Sequence, residues 1–148
     1  MTTSERAGDA PPAIGIFEMT LEVADLAASE RFYAGALGLP VVERWGPERP
    51  AVWLAAGREG FLGLWSREAG GAKAIHAGRG GAHVHFALRV PYGTLDAARA
   101  RLERHGVAVG SDRDFGDGNR AVYADDPDGN VVELTERRTL WDGGPATE

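Results

Sequence analysis

From about Ile14 to Glu136 the chain alternates apolar and polar residues in short blocks, and the period switches between two and about 3.6. "IFEMTLEV" puts Met19, Leu21 and Val23 on one face of a strand, with Glu18, Thr20 and Glu22 on the other. Asp25 is placed to cap a helix whose apolar stripe is Leu26, Phe32, Ala36 and Leu37, and Gly38 suits its left-handed stop. "PVVERW", "AVWLAAG" and "FLGLW" read as three further strands. The Gly- and Ala-rich stretch from Arg67 to Gly81 reads as a flexible linker, and the order then returns. "HVHFALRV" is a strand and Thr94 is expected to cap the helix "LDAARARLERH", which Gly106 stops. Short strands are expected around Val107, from Ala121 to Ala124, and from Val131 to Thr135. Residues 1–12 and 139–148 read as loose termini.

The return of the order suggests an internal repeat. Laying "EMTLEV" over "HVHFAL" pairs Glu18 with His83 and Thr20 with His85, a shift of 65 positions. Laying "FLGL" over "VVEL" pairs Gly63 with Glu133, a shift of 70. Two copies of strand, helix and three strands therefore fill one domain, residues 13–138, with module one at about 14–66 and module two at about 82–136. The fold class is α+β, with the helices on one face of mostly antiparallel sheets and the other face left for function.

Composition narrows the chemistry. The chain has 148 residues, 43% of them hydrophobic, which is enough for one core. No apolar run approaches the roughly 20 residues of a spanning helix, and the start carries no signal core, so a cytoplasmic protein without a membrane partner is expected. With no cysteine, any bound metal must use His, Asp, Glu or solvent. A net charge of −6 and scattered arginines argue against nucleic acid.

On the strand "HVHFALRV" Val84, Phe86 and Leu88 face the helix, so His83 and His85 share the opposite face. In "NVVELTE" Val132 and Leu134 turn to the core while Glu133 looks the other way, its register held by the "DPDGN" turn before it. Glu18 takes the same side in the first copy. Two readings of this convergence stand open: a solvated outer sheet face, or a divalent-cation site of His83, Glu133 and Glu18. His105 at a helix end and His76 in the linker read as surface charges. A cupin is excluded, because "ALRVPYG" lacks the downstream glutamate that a His-x-His pair would need there.

The motifs "TLEVADLAASERFYAGALGL", "HVHFALRV" and "YADDPDGNVVEL", in that order, resemble the vicinal oxygen chelate superfamily, the glyoxalase, bleomycin-resistance and extradiol dioxygenase group. The resemblance covers about Ile14 to Glu136. It implies two βαβββ modules forming a cup-shaped sheet around a metal held by the first and fourth strands of each module. By that match His83 and Glu133 are ligands, Glu18 stands where histidine or glutamine is usual, and Gly63 stands where a fourth ligand is expected. His85, beside His83, is a candidate catalytic base, further ligand or supporting donor.

The resemblance implies a divalent-metal enzyme using zinc, manganese, nickel or iron on a small molecule with neighbouring oxygens. The loss of a ligand at position 63 counts against a glyoxalase I, and Glu18 counts against an extradiol dioxygenase. A fosfomycin-type transferase lacks a matching phosphonate-binding set. The alternative is a metal-free protein that sequesters an aromatic drug or metabolite. Thr20, Trp45, Trp53, Phe61, Trp65 and Tyr123 form the expected ligand pocket for either function, although the tryptophans could equally be core or interface residues. Small members of the group imply a homodimer in which Glu18 of one chain meets His83 and Glu133 of the other.

Overall fold

The computed structural model describes residues 16–67, 85–140 and 143–147. The first sheet holds β1 (Glu18–Val23), β2 (Val41–Trp45), β3 (Ala51–Ala55) and β4 (Phe61–Ser66), ordered β1-β4-β3-β2. The second holds β5 (His85–Arg89), β6 (Arg113–Asp114), β7 (Arg120–Asp125) and β8 (Val131–Glu136), ordered β5-β8-β7-β6. Identical strand order in the two halves bears out the repeat. Each sheet is mixed, because β1 runs parallel to β4 and β5 parallel to β8 while the remaining pairs are antiparallel. The linker residues 68–81, His76 and His83 lie outside the described residues, as do residues 1–12.

Alternation sorts the faces as expected. Leu21 and Val23 of β1, Val52 and Leu54 of β3, Leu62 and Leu64 of β4, and Val122, Val132 and Leu134 of the second sheet enter one core that joins both modules. Asp25 caps α1 (Leu26–Glu30), its Oδ1 accepting from the Ala28 N–H at 3.0 Å. The helix does not continue in α form to Leu37. Arg31–Ala36 widens into a π-helical stretch, with the Leu37 N–H donating to the Phe32 carbonyl, and this stretch buries Phe32, Tyr33 and Ala36. Gly38 takes the expected positive φ of 77°.

The helix of module two, α2 (Leu95–Arg104), is capped differently from the sequence expectation. The Thr94 hydroxyl donates to the Pro91 carbonyl at 2.6 Å and caps nothing. Glu136, at the end of β8, supplies the acceptor instead: its Oε2 takes the N–H groups of Gly93 and Leu95 at 2.9 and 3.3 Å. A buried carboxylate from another strand thus serves the positive end of the helix. A strand around Val107 is also corrected. Val109 makes a single bridge to Ala124, and the short edge strand is β6, further on. Residues 143–147 pair back on residues 138–140, with the Ala146 N–H donating to the Arg138 carbonyl at 2.9 Å and the Leu140 N–H to the Gly144 carbonyl at 2.8 Å.

Polar ties lock the modules together. Tyr33 is fully buried, and its hydroxyl donates to Asp126 Oδ2 at 2.7 Å. The Ala24 N–H donates to Asp128 Oδ1 at 3.0 Å, and Arg101 donates from α2 to the Ala36 and Gly35 carbonyls at 3.0 and 2.9 Å. Asp126 also organises its own turn: its Oδ1 accepts from the N–H groups of Asp128 and Asn130, both at 2.8 Å, and Gly129 supplies the positive φ. Among the described residues no helix is long and apolar enough to cross a membrane.

Burial, and then the hydrogen bond to Asp126, push the Tyr33 phenol well above the ordinary tyrosine range. Its contribution is therefore complete below about pH 10 and is lost as pH rises further, where the unfolded chain ionises first. Tyr33→Phe should cost about 1.5–3 kcal/mol near neutrality and make the alkaline fall in stability shallower, read by urea unfolding from pH 7 to 11. An unchanged alkaline slope would refute the assignment.

Candidate functional site

The helix-free face of the second sheet brings three predicted residues together. Glu133 sits mid-strand on β8, between Ala87 of β5 and Tyr123 of β7 in the registers of its two neighbours. Nε2 of His85 lies 3.2 Å from Oε2 of Glu133, hydrogen-bond distance for the tautomer protonated at Nε2. The imidazole is half exposed, while the carboxylate side chain is only 10% exposed. The Tyr123 ring stands edge-on to His85 at 5.9 Å. Burial, and then the negative charge of Glu133, raise the Tyr123 phenol above its ordinary pKa, so it stays a proton donor.

The registers also correct the overlay of the two copies. Glu18 lies beside Phe61, and His85 lies beside Val131. Phe61 and Val131 are equivalent at the shift of 70 that pairs Gly63 with Glu133, so Glu18 corresponds to His85 and Thr20 to Ala87. The shift along the first strands is therefore 67 rather than 65. The sequence reading slipped by two residues, a slip that leaves every side chain on its own face and so is invisible to a period of two.

Arginines border this face. The Arg137 guanidinium is 3.9 Å from Glu133 Oε1 and packs 4.6 Å from the centre of the Phe115 ring, while Arg113 lies 5.4 Å from the same ring. Sequence reasoning missed all three. Arg137 was within reach, because it continues the row of Glu133 and Thr135 at every second position.

The helix-free face of the first sheet is aromatic. Trp45, Trp53 and Trp65 stand 5.3–6.1 Å apart in mutual contact, and Phe61 packs edge-on to Phe17 at 5.2 Å. Trp53 and Trp65 are 8% and 7% exposed, so they serve as a small second core as well as a wall, whereas Trp45 is 38% exposed. Thr20 faces the same side opposite Gly63. A Cβ on Gly63 would stand 2.6 Å from the Trp53 ring, so that indole occupies the space a side chain at position 63 would need. Glu18 lies in a groove of about 260 Å³ with Phe17, Glu43, Trp45, Trp53 and Phe61. Among the described residues no three His, Asp or Glu side chains cluster as a metal site, so Glu18 is not gathered with His85 and Glu133 within this chain.

Residues 15–134 match the model of the Glyoxalase/Bleomycin resistance protein/Dioxygenase superfamily. A catechol-2,3-dioxygenase of Bacillus subtilis (strain 168) is 32% identical over 133 residues, 86% of this chain and 43% of that protein, so the chain spans less than half the length of this curated relative. A lactoylglutathione lyase from Agrobacterium tumefaciens superposes with a TM-score of 0.69 at 26% identity, covering 85% of this chain and 96% of the other. TnmS3, an antibiotic binding protein from Streptomyces sp. CB03234, shares the fold with a TM-score of 0.62 at 22% identity, over 86% and 98% of the two chains.

The packing at position 63 makes a direct prediction. Gly63→Ala should destabilise the chain by about 1–3 kcal/mol, because the Trp53 indole is held by Trp45 and Trp65 and cannot retreat freely. Combined with Trp53→Ala, the loss should be smaller than the sum of the two single losses. Denaturant unfolding of the four chains checks this, and strict additivity would mean that the indole does not fill the space.

Proposed function

Because the chain belongs to the glyoxalase/bleomycin resistance protein/dioxygenase superfamily, we propose that it is a cytoplasmic, divalent-metal-dependent enzyme acting on a small molecule with neighbouring oxygens. The observation that carries this reading is the His85–Glu133 pair, an imidazole nitrogen and a carboxylate oxygen 3.2 Å apart on the open face of module two. Their chemistry fits zinc, manganese, nickel or iron. A third protein ligand is needed, and we assign it to Glu18 of a second copy, since in one chain Glu18 lies in the groove of the other module. His83 precedes His85 by two residues on the same strand pattern and offers a further imidazole. A metal bound there would act as a Lewis acid on substrate oxygens. A catechol, the substrate class in the name of the Bacillus relative, presents two such oxygens.

The chain's own residues have distinct tasks in this proposal. In the metal-free chain Glu133 accepts from the Nε2–H of His85 and so orients its ring; on metal binding that proton would leave and both groups would hold the ion. Tyr123 keeps its proton at Oη beside Glu133 and can donate it to a substrate oxygen. Arg137, against Phe115, limits the charge of Glu133 from the far side.

A second reading is favoured by one specific observation, Trp53 filling the space over Gly63. This is a metal-free binding protein whose aromatic face holds a drug or metabolite. Chelation separates the two, because an enzyme of the first kind loses activity on a vicinal-oxygen panel with chelator and regains it with metal, whereas ligand binding of the second kind persists.

The metal reading predicts about one divalent ion per chain by elemental analysis, with Glu133→Ala lowering affinity by about tenfold or more. The shared-site arrangement predicts complementation. Glu18→Ala and Glu133→Ala chains, co-refolded, should give heterodimers in which one site has lost both residues and the other neither, restoring about half of the metal binding if the sites are independent. A protein that stays monomeric, or heterodimers without recovery, would refute the shared site.

A further inference from the structure

The groove beside the tryptophans carries an inference of its own, which concerns the metal-free chain. Aromatic side chains enclose it on both sides, Trp45 and Trp53 from β2 and β3, Phe17 from just before β1 and Phe61 from β4. Two carboxylates, Glu18 and Glu43, line it between them. Glu43 reaches this face because the register of β2 against β3 shifts between Val41 and Glu43, after which Glu43 stands directly opposite Trp53. Arg44, the neighbouring cation, is committed to Glu30 through both of its terminal nitrogens, at the helix side. No ion pair engages Glu18 or Glu43 among the described residues.

The indole N–H groups of Trp53 and Trp65 are buried within the aromatic cluster with no hydrogen-bond partner among the described residues, so what the groove offers a ligand is ring faces and carboxylates. Indole and phenyl faces attract cations through their quadrupoles, and carboxylates at the rim add charge. A cavity of about 260 Å³ falls below the usual size for a drug-sized ligand and suits a head group.

We propose that this groove binds the substituted ammonium head of an organic cation, with Trp45, Trp53 and Phe61 around the head group and Glu43 and Glu18 balancing its charge.

The test is calorimetric titration of the whole chain, kept in chelator so that metal binding plays no part, with choline and with its neutral isostere 3,3-dimethyl-1-butanol. Choline should bind saturably and at least about tenfold more tightly than the isostere. Glu43→Gln should weaken choline severalfold without changing the isostere, and Trp45→Ala, at a partly exposed edge position, should abolish choline binding while circular dichroism shows the fold retained. Equal binding of the two ligands, no saturable heat with choline, or insensitivity to Glu43→Gln would overturn the proposal. None of these results bears on the His85–Glu133 metal reading, which is tested separately through Glu133→Ala.

Discussion

The carboxylate of Asp126 ties a turn, a strand and both modules together. One oxygen closes the turn before β8 by taking two backbone N–H groups, and the other reaches into module one to receive the buried hydroxyl of Tyr33. A buried carboxylate is costly unless each of its lone pairs is used, and here the Asn130 side-chain amide supplies a further donor at 2.8 Å. The turn sets where β8 starts, and therefore which of its residues face the open side. Glu133 owes its position opposite Tyr123 and beside His85 to that register. The same carboxylate that aims the site also joins the two halves of the core, where Tyr33 stacks on Phe86 with ring centres 6.2 Å apart.

What the sequence reveals here follows the range of each interaction. Period-two alternation identified the open faces of β1, β5 and β8 correctly, because which side is buried depends on each residue and its neighbours two away. The Asp25 cap and the Gly38 stop were legible for the same reason, being contained within a few residues. Glu136 as the acceptor for α2 was not legible, since it lies 41 positions from Leu95 and nothing local to Thr94 announces it. The π-helical widening after Glu30 escaped too, because its apolar residues fit an α stripe nearly as well. In the candidate site, the family motifs led to Glu133 and Glu18, but which histidine position is the counterpart of Glu18 in the repeat required the parallel register of β5 with β8, a long-range pairing.

The two modules share a backbone plan and differ in what they put on it. Module two sets a histidine and a glutamate within bonding distance among arginines, and module one sets three tryptophans beside two carboxylates, Glu18 and Glu43. Their open faces therefore differ in chemistry, in a chain whose overall charge is −6. Duplicated halves usually invite the assumption of duplicated roles. Here the strand order is duplicated and the surface chemistry is divided.

The indole over Gly63 also shapes which sequences are reachable from this one. A carboxylate at that position is the change that would make module one resemble module two, yet its first carbon already collides with the Trp53 ring. Replacing Trp53 first would open a void within the aromatic cluster and strip Trp45 and Trp65 of a shared neighbour. Either order passes through a less stable intermediate, so the two positions can be exchanged only together. The packing acts as a ratchet: a chain that has filled this space with an aromatic ring is held on that side of the divide by its own core, whatever selection may favour at the site.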